Sequence, residues 1–155
     1  MYPGNAMKRQ TLLSPSGQPC NPPPWGTLAA VDLTSGEVRW EAPIGEYDGQ
    51  VVGLPNSGGP VVTAGGLVFL GATMDNRFRA FDIESGEVLW NTELPRSAIA
   101  TPMTYRTDGK QYVVIAAGGH GKMGLPTGDY VMAFALPEIL WYDELPKRAI
   151  EAIED

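Results

Sequence analysis

The sequence is poor in cysteine and in long apolar runs, and each shortage excludes a class of protein. Its single cysteine, Cys20, cannot form a disulfide within the chain or contribute to a cysteine-based metal cluster. No run of 18 apolar residues is present, so we expect no segment that spans a membrane. No basic and apolar leader opens the sequence, so we also expect no signal peptide.

Positive charge is scarce as well. The 155 residues include 11 lysines and arginines against 18 aspartates and glutamates, which gives a net charge of −7. Binding to nucleic acid requires a basic face, and binding to an anionic membrane surface requires a polybasic patch. The sequence therefore predicts no nucleic-acid partner and no electrostatic membrane anchor.

Glycine and proline, by contrast, are abundant, with 19 and 14 residues. Many tight turns in a chain long enough for one core favour an all-β fold. An internal repeat supports this, because LAAVDLTSGEVRW at 28–40 returns as FRAFDIESGEVLW at 78–90. The identical positions of the second copy are Ala80, Asp82, Ser85, Gly86, Glu87, Val88 and Trp90. A weaker third copy, VMAFAL, follows at 131–136.

Each repeat predicts a run of short antiparallel strands. Residues 58–94 contain four strand-like segments, whereas 27–42 contain two and 101–136 contain three. Four antiparallel strands that recur at this length are typical of a β-propeller blade. We therefore predict an all-β fold, a partial β-propeller of about two and a quarter four-stranded blades.

The repeated residues have structural roles in this interpretation. Asp82 precedes the turn between the last two strands and can accept hydrogen bonds from its backbone amides. Gly86 can adopt the positive φ that the turn requires. Trp90 offers a large surface for packing against the next blade. We predict that these residues, with Ala80, specify the fold and have no chemical function.

The ends of the chain differ from the repeat and define three predicted regions. Residues 1–25 form an amino-terminal loop segment, 26–137 form the propeller blades, and 138–155 form a partly helical tail with a short helix near Pro146. A closed propeller needs roughly four to eight blades. Either a further portion of propeller completes the ring, or several copies of this chain associate, and both alternatives stay open.

The motif Gly119-x-Gly121-x-x-Gly124 follows a strand-like segment and resembles a nucleotide-binding loop. That fingerprint requires a helix directly after the loop and an acidic residue about 20 positions later. A further predicted strand follows here, so we expect no nucleotide site. The propeller arrangement instead brings the loop at 118–129 next to the loop at 71–77.

These two loops, with the interblade loops at 46–59 and 94–101, form the predicted functional face. Asp75 and His120, the only histidine, are its candidate binding residues, and Gly119 and Gly121 would let a ligand approach the backbone. Two other interpretations stay open: Asp75 can simply stabilise a turn, and His120 can simply be exposed.

Several segments together resemble a known family. The motif Ala-x-Asp-x-x-(Thr/Ser)-Gly-x-x-x-Trp is similar to the tryptophan-docking repeat of pyrroloquinoline quinone (PQQ) dehydrogenases. PCNPPPWGTLAAVDLTSGEVRW and the stretch that contains GGHG and GDYV resemble the carboxy-terminal part of the membrane-bound glucose dehydrogenase type. The resemblance covers about residues 19–137.

The resemblance implies an eight-bladed propeller that binds PQQ near a Ca²⁺ or Mg²⁺ ion. It implies sugar or polyol substrates, electron transfer to ubiquinone and a catalytic site that faces the periplasm. Asp75, Gly119, His120 and Gly121 match positions near the cofactor and sugar pocket of the family. The family's general base, metal ligands and membrane helices precede the matching part, so we expect no catalytic residue and no metal ligand in this chain.

Two functions are consistent with the sequence. The chain is either the carboxy-terminal segment of a PQQ-dependent sugar or polyol dehydrogenase, inactive alone, or a non-catalytic propeller module that acts as a structural or protein-binding scaffold. The GGHG loop favours the first function, because a scaffold does not need it. Whether the chain alone binds PQQ stays open.

Overall fold

The computed structural model describes residues 12–17 and 19–136, and these residues form an all-β fold. The only helical element among them is a short 3₁₀ turn, Gly121–Met123. The strands are β1 (Thr27–Val31), β2 (Val38–Pro43), β3 (Glu46–Tyr47), β4 (Gln50–Val51), β5 (Val61–Val62), β6 (Leu67–Leu70), β7 (Arg77–Asp82), β8 (Val88–Glu93), β9 (Met103–Thr107), β10 (Lys110–Ala117) and β11 (Tyr130–Phe134).

The strands form antiparallel sheets, with the predicted number of strands in each blade. Blade 1 is the pair β1–β2, blade 2 is the four-stranded sheet β5–β6–β7–β8, and blade 3 is β9–β10–β11 with β10 in the centre. This confirms the prediction of two, four and three strands in an open partial propeller. A small hairpin, β3–β4, lies within the segment that the sequence predicted as an interblade loop.

The turns between the last two strands of blades 1 and 2 have the predicted chemistry. In blade 2 the Asp82 Oδ1 accepts hydrogen bonds from the amides of Glu84 and Ser85, at 2.9 and 2.8 Å. Gly86 follows with a φ of 74°. Asp32 repeats this arrangement in blade 1, so the repeated Asp and Gly close equivalent turns.

The core lies on both sides of blade 2. Phe78 is fully buried and packs with residues of blade 3, whereas Phe81 is buried among residues of blades 1 and 2. These two side chains emerge on opposite faces of β7, because successive side chains of a strand alternate. Blade 2 is therefore covered on each face by a neighbouring blade, which fixes the loops at its ends.

The repeated tryptophans connect each blade to the next. The Trp40 Nε1 donates a hydrogen bond to the carbonyl of Ile83, at 2.8 Å, and its ring lies against Gly86. Trp90 contacts Phe134 of blade 3, with ring centroids 5.4 Å apart and an interplanar angle of 70°. This confirms the predicted contact between blades, although Trp90 packs edge-on and stays 38% exposed.

Some predictions concern residues outside the described part of the chain. The short carboxy-terminal helix and the tail at 138–155 lie there, as does the beginning of the predicted amino-terminal segment. The boundaries of the three predicted regions therefore remain predictions. Within residues 12–17 and 19–136, no helix has the length and apolar character needed to cross a membrane.

Candidate functional site

The loops at 71–77 and 118–128 lie together, as the strand order predicts. Ser97, between blades 2 and 3, contacts both of them. Its hydroxyl lies within hydrogen-bond distance of the Met74 carbonyl and the Asn76 side chain, and its carbonyl accepts a hydrogen bond from the Gly119 amide at 2.9 Å. Ser97 is 2% exposed, so these bonds are protected from water.

Both carboxylate oxygens of Asp75 accept hydrogen bonds. Its Oδ1 accepts from the Thr73 hydroxyl at 2.6 Å and from the Arg77 amide at 3.2 Å. Its Oδ2 accepts from the Glu46 amide at 2.8 Å. The Arg79 guanidinium donates to both oxygens and forms an ion pair with the carboxylate. Both side chains of this pair are only 6% exposed.

Arg79 connects Asp75 to a second carboxylate. Its Nη2 lies 3.3 Å from the Glu46 Oε1, and Glu46 is the first residue of the β3–β4 hairpin. Arg77 adds a longer ion pair to Glu46, at 3.9 Å. Two arginines and two carboxylates therefore join the hairpin to the loop at 71–77, with no net charge in the cluster.

The pKa of the Asp75 carboxyl lies below its ordinary value of 3.8. Burial by itself raises this pKa, because it disfavours the charged form. The hydrogen bonds from Arg79, Thr73 and the Glu46 amide, with the charge of Arg79, outweigh burial. Asp75 is therefore a carboxylate at neutral pH whose hydrogen-bonding capacity is used within the protein.

His120 has a different environment. It precedes the 3₁₀ turn in an extended conformation, and its carbonyl accepts hydrogen bonds from the amides of Met123 and Leu125. Its Nδ1 is buried and has no hydrogen-bond partner in the described part of the chain. A buried polar atom without a partner costs free energy, and the described residues leave this nitrogen unsatisfied.

The glycines around His120 have separate roles. Gly119 has a φ of 66°, and a Cβ there would lie 1.8 Å from the Pro126 carbonyl oxygen, so the fold itself requires glycine. A Cβ at Gly121 would meet only the Thr127 methyl group, at 3.7 Å. Gly121 therefore leaves the backbone beside His120 accessible, as the predicted ligand approach requires.

Asp75 and His120 lie on the same face, but no hydrogen bond joins them within residues 12–17 and 19–136. Asp75 points its oxygens toward Arg79 and the hairpin, whereas Ser97 lies between the two loops. The glycine motif leads through the 3₁₀ turn into β11, in agreement with the strand that the sequence predicts after the loop.

The sequence prediction missed Glu46, Arg79 and Ser97. Their roles depend on contacts between segments that are 21 to 33 residues apart, and no local pattern marks such contacts. One signal was available for the hairpin that carries Glu46. Asp48 and Gly49 form a dipeptide typical of tight hairpin turns, and both have a positive φ.

A metal site does not emerge from the described residues. They contain no group of three or more histidine, cysteine, aspartate or glutamate side chains that could hold an ion. A groove of about 610 Å³ lies elsewhere, between the segment 19–25 and the β3–β4 hairpin, and is lined by neither Asp75 nor His120.

Comparison with known proteins places this geometry in context. A family model described as the PQQ glucose/ethanol/alcohol dehydrogenase β-propeller domain matches residues 3–113. The chain is 47% identical over 138 residues to the quinoprotein glucose dehydrogenase of Escherichia coli (strain K12), which covers 82% of this chain and 17% of the relative. It is 42% identical over 137 residues to the glycerol dehydrogenase large subunit of Gluconobacter thailandicus, covering 81% and 18%.

Solved structures agree with these matches. The quinohemoprotein alcohol dehydrogenase of Comamonas testosteroni has a TM-score of 0.53 and 35% identity, over 67% of this chain and 14% of that one. A europium-containing methanol dehydrogenase has a TM-score of 0.51 and 38% identity, over 60% and 15%. The chain spans less than a fifth of the length of the curated relatives named above.

Proposed function

The chain belongs to the family of PQQ-dependent glucose, ethanol and alcohol dehydrogenases with a β-propeller domain, and on that premise we propose that it forms the carboxy-terminal propeller segment of a sugar or polyol dehydrogenase. Identity to glucose and glycerol dehydrogenases supports a substrate with several hydroxyl groups. The acceptor of the electrons is ubiquinone, and the site faces the periplasm.

The observation that carries this proposal is the unpartnered Nδ1 of His120, beside the open backbone of Gly121. When bound, PQQ supplies the two-electron acceptor of the reaction. His120 would hold an oxygen of the substrate or cofactor by a hydrogen bond, and Gly119 would fix the loop in the required conformation. Asp75 would not contact the substrate or cofactor itself. It would position the loop indirectly, because it holds Arg79 and the hairpin in place.

The Ca²⁺ or Mg²⁺ ion that the family resemblance implies would be held by other blades of the intact enzyme. A general base must also lie within hydrogen-bond reach of the substrate hydroxyl. The Asp75 carboxylate is occupied by Arg79 and is poorly suited to this role. We therefore propose that the chain alone does not oxidise substrate, even when PQQ and the metal ion are added.

A chimeric enzyme tests the proposal. Residues 19–136 would replace the matching segment of the Escherichia coli relative, and glucose oxidation would be measured with PQQ, Mg²⁺ and an artificial electron acceptor. We expect the chimera to oxidise glucose. His120→Ala in the chimera should lower kcat/KM roughly tenfold, because one hydrogen bond to a bound molecule is lost.

Lys122→Ala is the matched control, since Lys122 is an exposed residue of the same loop, and its kinetics should equal those of the parent chimera. Unchanged kinetics for His120→Ala would refute the binding role of His120. A folded chimera without activity would refute the functional equivalence of the segment. Turnover by the chain alone would contradict its proposed dependence on other blades.

A second candidate function, a non-catalytic scaffold, is favoured by one observation. Strand β1 pairs only with β2 within residues 12–17 and 19–136, and its other edge is open. Open edges can bind an extended peptide by strand addition. A scaffold would tolerate both His120→Ala and loss of PQQ without change in partner binding, whereas the dehydrogenase segment would lose turnover without PQQ and have a lowered kcat/KM with His120→Ala.

A further inference from the structure

Within the described residues, the outer edge of blade 3 has no counterpart of the fourth strand of blade 2. In blade 2 the outer strand β8 pairs with β7 along its length. Strand β11 is the counterpart of β7 in the repeat, yet within residues 12–17 and 19–136 it pairs only with β10. This edge presents unpaired backbone groups together with the exposed side chain of Val131, which is 71% accessible.

The sequence that follows β11 repeats the outer strand of blade 2. Residues 139–147, ILWYDELPK, align with residues 88–96, VLWNTELPR. Five of these nine positions are identical and two are conservative changes. The identical residues are Leu140, Trp141, Glu144, Leu145 and Pro146. The segment thus carries the interblade tryptophan and the Glu-Leu-Pro that ends β8.

The connection has a suitable length. In blade 2 Ala80 lies opposite Trp90. The same register in blade 3 puts Ala133 opposite Trp141 and Phe134 opposite Ile139, as Phe81 lies opposite Val88 in blade 2, which leaves residues 135–138 for the turn. Four residues are within the usual range of hairpin loops, and Pro137 is compatible with a turn.

We propose that the open edge of β11 is the docking site of residues 139–145 of the same chain, which complete blade 3 as its fourth strand. In blade 2 the residue equivalent to Leu145 is Leu94, which is 2% exposed and belongs to the core. The same burial would favour docking of the tail, in addition to pairing of the edge. A helix that begins near Pro146 is compatible with this arrangement. The proposal does not depend on the catalytic function.

Paired cysteines in the full chain test the register. In a Cys20→Ser background, Val131→Cys and Asp143→Cys would be combined, because their counterparts Phe78 and Thr92 lie opposite each other in blade 2. Directly opposite residues meet the distance that a disulfide requires. We expect oxidation to join these two positions within one chain.

The control pair is Val131→Cys with Glu144→Cys, which is one residue out of register and faces the other side of the sheet. It should form no intramolecular disulfide. Equal cross-linking in the two pairs, or no cross-linking in either, would overturn the proposal. Cross-linking only between chains would also overturn it and would identify a second copy as the occupant.

Hydrogen exchange gives a second measurement that needs no variant. The inner edge of β9 is unpaired in the described part of the chain and serves as an internal reference. We expect the outward amides of β11 to exchange roughly 100-fold more slowly than those of β9, because pairing protects them. Equal exchange at the two edges would contradict docking of the tail.

Discussion

At the residue scale, Asp75 and His120 differ in how their polar atoms are satisfied. The Asp75 carboxylate has partners on both oxygens, including the buried guanidinium of Arg79. The His120 Nδ1 has no partner among the residues that the structure describes. Removing Asp75 should therefore change the stability of the fold, whereas removing His120 should change the binding of a ligand.

Asp75→Asn should destabilise the chain by about 3 kcal/mol at neutral pH, because it leaves Arg79 buried with only Glu46 as an ionic partner. Urea unfolding followed by fluorescence would measure this difference. Asp108→Asn is the control, since Asp108 is exposed in the β9–β10 turn and asparagine tolerates its positive φ. A loss no larger than that of the control would refute the structural role of Asp75.

The stability that Asp75 contributes should also depend on pH. The folded-state pKa of Asp75 is lowered, so the stability that its ionisation provides is present above its ordinary value of 3.8. That stability is lost as the pH falls through the folded-state pKa. The difference between the parent chain and Asp75→Asn should therefore shrink below pH 3.8, and a constant difference would contradict the lowered pKa.

At the scale of elements, the interblade contact depends on a glycine as much as on a tryptophan. Gly36 and Gly86 occupy equivalent turns, with φ values of 76° and 74°. A Cβ at Gly86 would lie 2.6 Å from the ring of Trp40, whereas a Cβ at Gly36 would meet no atom within 4 Å. The two positions have the same backbone strain, and only one of them supports a neighbouring blade.

Gly36→Ala should cost roughly 1 kcal/mol through its positive φ alone. Gly86→Ala should cost about 1–3 kcal/mol more, because the Trp40 ring and its hydrogen bond to Ile83 must shift. Thermal unfolding of both variants would measure the difference. Equal losses would show that the ring moves aside freely and that the contact does not fix the blades.

Much of the element structure could be predicted, because alternation of apolar residues and the repeated Asp-x-x-x-Gly turn act locally. The β3–β4 hairpin was missed, because its two-residue strands show no periodicity and only the Asp48-Gly49 turn marks it. For the site, the sequence predicted which loops lie together, whereas the binding roles of Asp75 and His120 stay predictions. The partners of Asp75 come from β3 and β7, and their approach results from packing between blades.

At the scale of the whole molecule, the described residues form an open arc whose first sheet has two strands. The β1 edge is unpaired there, and nearby apolar side chains are exposed, including Val31 at 48% and Val38 at 59%. Such edges promote pairing with another chain unless they are covered.

We expect the isolated chain to self-associate in a concentration-dependent way, and light scattering over a range of concentrations would detect this. Addition of a polypeptide that carries the preceding propeller strands of the Escherichia coli relative should reduce the association, because it covers the β1 edge. A chain that stays monomeric at every concentration would show that this edge is already protected.

Ser97 has a consequence for the evolution and engineering of this face. Its hydroxyl contacts the loop at 71–77 and its carbonyl accepts from the loop at 118–128, so the two loops share one anchor. Sequence changes that shift either loop would strain the other, and the two are expected to diversify together. A mutant library that seeks a new substrate should vary both loops in combination and keep Ser97 constant.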